Sequence, residues 1–519
     1  MIKIQRALVS CWDKTDLEDL CSIFTRYNIE IISSGGTADY LLGNNIPVTL
    51  VEDVTGSPEI LGGRVKTLHP VIHAGLLADN SEAHRQDLER IGAKPIQLVI
   101  VNLYPFLEKA VKENLSLEKA IEFIDIGGPT MLRAAAKNYQ NVIALYRPSQ
   151  YNEFIKVIES QEGQISIEFS QRKAREIFFY TSWYDSKVQE YFGQQDKSVE
   201  GLPGYQVLPL VKDIDLRYGE NPHQSGAVYH TFLQNSRGLS AMEQLWGKQL
   251  SFNNYMDIDA AYSITSEFSQ PAVAIIKHMN PCGAAVSRDN LFLAFEKAMK
   301  GDPVSAFGGI VALNRTVDCD TAEAMSKIFF ECIIAPDFSE DSLKILQRKK
   351  NLRLLKMDPD LFREMNYEVK SINGAFLFQK PDSQEDDQSK WQVVTETQPT
   401  SEQMEDLKFT WKICKHVKSN AIVIGKDMEI YGIGAGQMSR VDSVEISTWK
   451  AKKAERDIGG TVLASDAFFP FRDGVDQANE AGIRAIIQPG GSIRDDEVIN
   501  AANEHGITMI FTGTRHFKH

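Results

Sequence analysis

Cysteine is scarce here: in 519 residues, Cys11, Cys21, Cys282, Cys319, Cys332 and Cys414 are scattered without metal-site or disulfide-framework spacing. Free thiols in a reducing compartment are therefore expected. Positive charge is also in deficit. Lys and Arg number 56 against 70 Asp and Glu, a net charge of −14, which excludes general binding to nucleic acid or acidic lipid because phosphate neutralisation needs a basic surface. An anionic ligand must meet a local cluster of cations. No apolar run approaches the length of a bilayer span. The start, Met1–Arg6, passes straight into a strand-like stretch and soon reaches Asp13-Lys14, without a signal-peptide core. The expectation is a cytoplasmic chain that binds neither membrane nor nucleic acid.

What is present is an α/β pattern long enough for roughly three or four domain-sized units. Ala7–Ser10 and Glu30–Ser33 read as short parallel strands, with Leu17, Leu20, Ile23 and Phe24 spaced as a helix between them. Ser33-Ser34-Gly35-Gly36-Thr37 follows. Its glycines and the free amides of a following helix suit a phosphate, and a tight turn with Thr as N-cap has the same spelling. Arg64 and Lys66 fall on one side of the Leu61–Pro70 segment if it is extended. His69 and His73 lack companions for a metal set.

Leu98–Phe106 reads as a buried strand that delivers Asn102 and Tyr104 to its carboxyl end, where open α/β sheets bind ligands. Asp125–Lys137 reads as a loop, a proline in the first turn and an Ala-rich helix with Arg133 and Lys137 on one face. Farther on, Ala272–Ile276 is a buried strand leading to Lys277 and His278, with Asn280–Gly283 expected to turn the chain. An imidazole beside an ammonium can exchange a proton near neutrality and steady an oxyanion. A solvated Lys beside a His satisfied by a turn carbonyl is the plainer reading.

Taken together, these stretches resemble the bifunctional family that joins aminoimidazole-carboxamide ribonucleotide (AICAR) formyltransferase to inosine monophosphate (IMP) cyclohydrolase. The motifs carrying the likeness span the chain: Ser33–Thr37, Gly62–Pro70, Asn102–Phe106, Asp125–Asn138, Leu216–Gln224, Lys277–Gly283, Ser305–Gly309, Gly432–Arg440, Ser465–Asp473 and Arg515–His519. The resemblance implies a methylglyoxal-synthase-like parallel-sheet domain over residues 1–198, which closes the formylated ribonucleotide (FAICAR) to IMP. A formyltransferase domain of two cytidine-deaminase-like α/β lobes follows over residues 199–519. The low apolar content of Gly193–Gly204 places the boundary.

Carried over by resemblance, Lys14, Ser34, Gly36, Thr37, Arg64, Lys66 and Thr67 surround the nucleotide phosphate. Asn102, Tyr104, Asp125, Gly127, Gly128 and Lys137 line the base end. Ring closure needs a donor for the developing oxyanion and an acceptor for the amide proton; Lys137 and Tyr104 are assigned to the first, Asp125 to the second. Trp12 departs from the family, whose members carry a small hydroxyl residue there. It leaves open a chain with only the transferase activity intact.

In the second domain the resemblance makes His278 the base and Lys277 its partner. Arg217, Tyr218, Phe307, Asn420, Ser439, Arg440, Phe468, Asp473 and Arg515 are placed around AICAR and the co-substrate 10-formyltetrahydrofolate. Glu331 sits where relatives carry a different acid and receives no role. Asn280–Val286 against Gly434–Val441, and Ala306-Phe307 against Ala467-Phe468, suggest a tandem duplication. The His-x-Glu and paired cysteines of zinc deaminases are missing, so no metal is assigned to catalysis. The glycines of Tyr431–Arg440 fail the dinucleotide spacing. A homodimer and a structural K⁺ are further implications of the resemblance.

Overall fold

Arg6–Cys11 and Leu98–Asn102, almost wholly buried runs of small and β-branched residues, pair in parallel at the middle of a five-stranded sheet. The order is Thr49–Leu50, Glu30–Ser33, Arg6–Cys11, Leu98–Asn102, Ile143–Leu145, all parallel. Burial on both faces explains why these strands read as continuous apolar runs. In the helix Leu17–Arg26, Leu17, Leu20, Cys21 and Phe24 recur at helical spacing and pack on one face, together with Phe154 and Ile158. Helix Gly127–Lys137 lies against Leu98–Asn102 on the other, and the 29-residue helix Ile167–Gln195 covers Ile143–Leu145.

This computed structural model describes residues 1–196, 201–232, 238–361, 367–383 and 386–519. The chain divides into two compact units, Met1–Pro209 and Leu210–His519. The boundary expected at 198/199 lies outside the described residues.

The second unit is built on one twelve-stranded sheet whose halves repeat the same order. In the first half, Glu243–Trp246 is antiparallel to Arg353–Lys356, followed by the parallel Cys332–Ala335 and Ile310–Leu313. The antiparallel hairpin Ala272–Lys277/Asn280–Val286 completes it. In the second half, Gln392–Val393, Thr508–Phe511, Ala485–Gln488, Val462–Ser465 and the hairpin Ile422–Lys426/Glu429–Gly434 repeat that series. The two hairpins meet edge to edge at Ala285 and Glu429. Helices Phe252–Ser266 and Ser401–Cys414 occupy matching places on one face, and Ile258, Tyr262, Leu407 and Trp411 share one core beneath them.

This topology corrects two sequence expectations. Asn280–Gly283 does not turn the chain. It opens a strand, and Pro281, which has no N–H to give a ladder, sits at a bulge opposite Ile276. The turn is His278-Met279. Nor are the duplicated segments those matched by spelling: Ala306-Phe307 precedes the strand Ile310–Leu313, whereas Ala467-Phe468 follows Val462–Ser465. The equivalent positions are the hairpins. Among the described residues no helix is long and apolar enough to cross a membrane.

Candidate active sites

In the first unit, parallel register brings the ends of Arg6–Cys11, Glu30–Ser33 and Leu98–Asn102 to one edge of the sheet. A cleft of 790 Å³ opens there. Lys14, Ser34, Gly36, Thr37, Arg64, Lys66, Thr67, Asn102, Tyr104, Asp125, Gly127 and Gly128 all line it. These expected residues make up half of the wall.

Ser34 precedes the helix Gly35–Gly43 without capping it, and its hydroxyl is buried with no partner. Gly35 adopts φ 52°, and a Cβ there would come within 3.2 Å of Lys66 Nζ. An ammonium, a spare hydroxyl and free helix amides thus converge at one point, as an anion requires. Lys14 Nζ approaches the carbonyls of Cys11 and Trp12 at 3.3 and 3.4 Å.

Two expected contacts serve the backbone instead. Thr37 Oγ1 donates to the Cys11 carbonyl at 2.9 Å and accepts the Cys11 amide at 3.0 Å. Asn102 accepts from the Asp13 amide at 2.7 Å and donates to its carbonyl at 3.0 Å. Both side chains hold the rim in shape. Arg64 is exposed and paired with Glu122, and the Leu61–Gly63 turn before it is not extended.

In the same cleft the Gly128 amide donates to Asp125 Oδ1 at 2.8 Å. A Cβ on Gly128 would fall 2.5 Å from Asp125 Oδ2 and 2.6 Å from Leu103, so only glycine fits. Burial pushes the Asp125 carboxyl above its ordinary range, against the opposing pull of the Gly128 and Tyr104 amides and of Lys66. Burial likewise raises the Tyr104 phenol, helped by Asp125 and Glu59. The site thereby holds a more basic carboxylate beside a hydroxyl that keeps its proton.

Lys137 is not part of this arrangement. It ends the helix that Gly127 begins, about 15 Å away at 1.5 Å per residue, and it is exposed and outside the cleft. Lys66, by contrast, lines the cleft. Trp12, left out of the site, does line the cleft: its ring meets Tyr104 edge-on at 5.4 Å between centroids. Glu59 lines it too, with no motif to announce it.

In the second unit His278 is exposed on its turn, and Lys277 Nζ donates to the Phe307 carbonyl at 2.9 Å. Phe307 is itself 60% exposed, an aromatic face open to a ligand. Asn280 donates to the His278 carbonyl at 3.2 Å and accepts from the Lys418 amide at 3.1 Å, which ties the turn to the segment carrying Asn420. Asn420 accepts from Arg440 at 2.8 Å. Arg440, 7% exposed, also grips Ser465 and the fully buried Asp466.

Ser439 caps the helix Arg440–Lys453 by accepting the Asp442 amide. Arg440 and Ser439, expected as ligands, are thus committed to the framework. Phe468 is 37% exposed. Arg515 is exposed and lies over Phe517, while Arg217 lies over Tyr218. Asp473 opens the helix Asp473–Ala481 and accepts the Gly474 amide.

Between Arg515 and Phe517, His516 is buried between Asp382 at 2.6 Å and Asp386 at 3.2 Å. Burial disfavours its charge, but the two carboxylates outweigh that and raise its pKa to about 9. A raised folded-state pKa stabilises fully below the unfolded value of about 6.5 and is lost as pH climbs through 9. Denaturant unfolding of the second unit should therefore weaken from pH 6.5 to 9. Asp382 is partly exposed, and screening limits the change to about 2 kcal/mol. The double substitution Asp382→Asn/Asp386→Asn should flatten this slope.

Comparison with known proteins bears on both units. The family model described as MGS-like domain matches residues 16–130, and that described as AICARFT/IMPCHase bienzyme matches residues 135–450. Proteins named bifunctional purine biosynthesis protein PurH are similar over nearly the full length. That of Caldicellulosiruptor saccharolyticus is 49% identical over 99% of this chain and 100% of its own. That of Persephonella marina is 49% identical with the same coverage. The Enterococcus faecalis protein is 48% identical over 99% of this chain and 100% of its own. The chain belongs to the AICARFT/IMPCHase bienzyme family.

Proposed function

We propose that this bifunctional enzyme of purine biosynthesis transfers the formyl group of 10-formyltetrahydrofolate to the 5-amino nitrogen of AICAR and then closes FAICAR to IMP. In the transfer, His278 takes the amine proton as nitrogen attacks the formyl carbon, and Lys277 steadies the tetrahedral oxygen. The folate nitrogen leaves protonated. In the closure, Asp125 accepts the proton of the attacking carboxamide nitrogen. Tyr104 and Lys66 hold the oxyanion; the oxygen then departs as water, taking one proton back from Asp125 and a second from the formamido nitrogen as the ring C=N bond forms. The nucleotide phosphate lies at Ser34 and Gly36, with Lys14 and Arg64 at the rim and Thr67, Gly127 and Gly128 shaping the floor.

The observation that carries this reading is the facing pair in one cleft: a carboxylate made more basic by burial and a phenol kept protonated. Trp12 packs on Tyr104 without closing that cleft, and nothing favours a chain impaired in cyclisation. Arg217, Tyr218, Phe307, Phe468, Asp473 and Arg515 are proposed to gather around AICAR and folate, with Asn420 fixed by Arg440. A cytoplasmic homodimer belongs to the same proposal. The repeated strand order supports two deaminase-like lobes. No ligand set is assigned to a K⁺, and no step runs through one.

The test is to supply the purified chain with AICAR and 10-formyltetrahydrofolate and follow FAICAR and IMP separately. IMP should accumulate. Lys66→Met should leave formyl transfer intact while FAICAR builds up, with cyclisation slowed about 10²-fold. Full-speed cyclisation in that variant would remove Lys66 from the oxyanion.

A further inference from the structure

The turn that presents His278 is held in an unfavourable conformation from outside. Lys277 pairs with Asn280, leaving His278 and Met279 as the two central residues at φ 52° and 61°. Two-residue hairpins of this kind favour Asn and Gly, because positive φ costs other residues about 1–2 kcal/mol each. Neither His nor Met supplies that preference. The helix Phe252–Ser266 supplies a carboxylate instead: Asp257 Oδ1 accepts the Met279 amide at 2.6 Å.

The second half of the sheet repeats the device. Lys426 pairs with Glu429 around Asp427 and Met428, at φ 53° and 55°. Asp406, from the matching helix Ser401–Cys414, accepts the Met428 amide at 2.8 Å. The second turn has Asp427 where the first has His278. One carboxylate-pinned turn thus carries an imidazole, and its twin does not.

We infer that Asp257 is a positioning residue for formyl transfer: by accepting the backbone amide of the turn it fixes where the His278 imidazole stands. Asp257 touches no reacting atom. Its side chain is half-buried beneath the turn, with Glu331 nearby, just before the strand Cys332–Ala335, where Asn254 and Arg353 hold that second carboxylate. This inference rests on His278 as the proton acceptor. It adds the element that sets the aim of that acceptor.

The experiment compares Asp257→Ala, Asp257→Asn, Asp406→Ala and His278→Ala in the full chain, with kcat and KM for AICAR measured in formyl transfer. Asp257→Ala should lower kcat about 10²-fold, the cost of roughly an ångström of misplacement, with KM changed less than about threefold. Asp257→Asn keeps an acceptor oxygen and should recover most of the loss. Asp406→Ala removes the same bond under the twin turn and should stay within about threefold of the parent. Denaturant unfolding of Asp257→Ala and Asp406→Ala separates aim from stability, because both lose one equivalent hydrogen bond. Unchanged kcat in Asp257→Ala overturns the inference, as does equal loss in Asp406→Ala or no recovery in Asp257→Asn. His278→Ala retaining full transfer would instead remove the base assignment.

Discussion

His278→Ala should slow formyl transfer about 10²–10⁴-fold, the range that a positioned general base contributes. Cyclisation of supplied FAICAR should proceed at the parent rate, since the cleft proposed for that chemistry lies in the other unit. The size follows from the nucleophile. An aromatic amine is weakly basic and loses its proton as the carbon–nitrogen bond forms, so a missing acceptor raises the barrier directly. Lys277 cannot substitute: its ammonium donates to the Phe307 carbonyl and carries no free pair. A result within twofold of the parent would show that another group takes the proton.

Arg440→Met should destabilise the second unit by about 3–5 kcal/mol, as expected when one partner of a buried ion pair is removed. Arg440 binds Asp466 at 2.5 Å, Ser465 at 2.8 Å and Asn420 at 2.8 Å, and Asp466 has no exposure at all. Without the guanidinium, a charged carboxylate remains in the core with the Ser419 hydroxyl beside it. Removing both charges, as Arg440→Met/Asp466→Leu, should restore much of the loss, because a well-packed apolar pair avoids desolvation. Denaturant unfolding of the two variants decides the matter: equal stabilities would mean that Asp466 is not the source of the penalty.

The strands were legible in the sequence because burial on both faces selects β-branched runs; Arg6–Cys11 and Leu98–Asn102 announce themselves. The glycine loops of the first cleft were legible for a similar reason, since close approach leaves few residue types able to serve. What helical spacing could not give is reach. It puts Lys137 and Arg133 on one face without saying that the cleft lies at the opposite end of the helix. Polarity at a strand end did not separate Thr37 and Asn102, which bind backbone, from Ser34, which has no partner. The turn at His278 was misplaced because Asn280–Gly283 spells a turn, whereas the conformation of His278-Met279 depends on a carboxylate some twenty residues earlier.

The way the two hairpins meet has a bearing on synthesis. Until Glu429–Gly434 has left the ribosome, Asn280–Val286 is an uncovered margin, with open amides and carbonyls facing whatever strand arrives first. Pro281 has no amide to offer a ladder, and the bulge beside it bends the margin away from flat pairing. A nascent chain halted before Ile422 would therefore carry its own guard against premature partners while it waits for its other half.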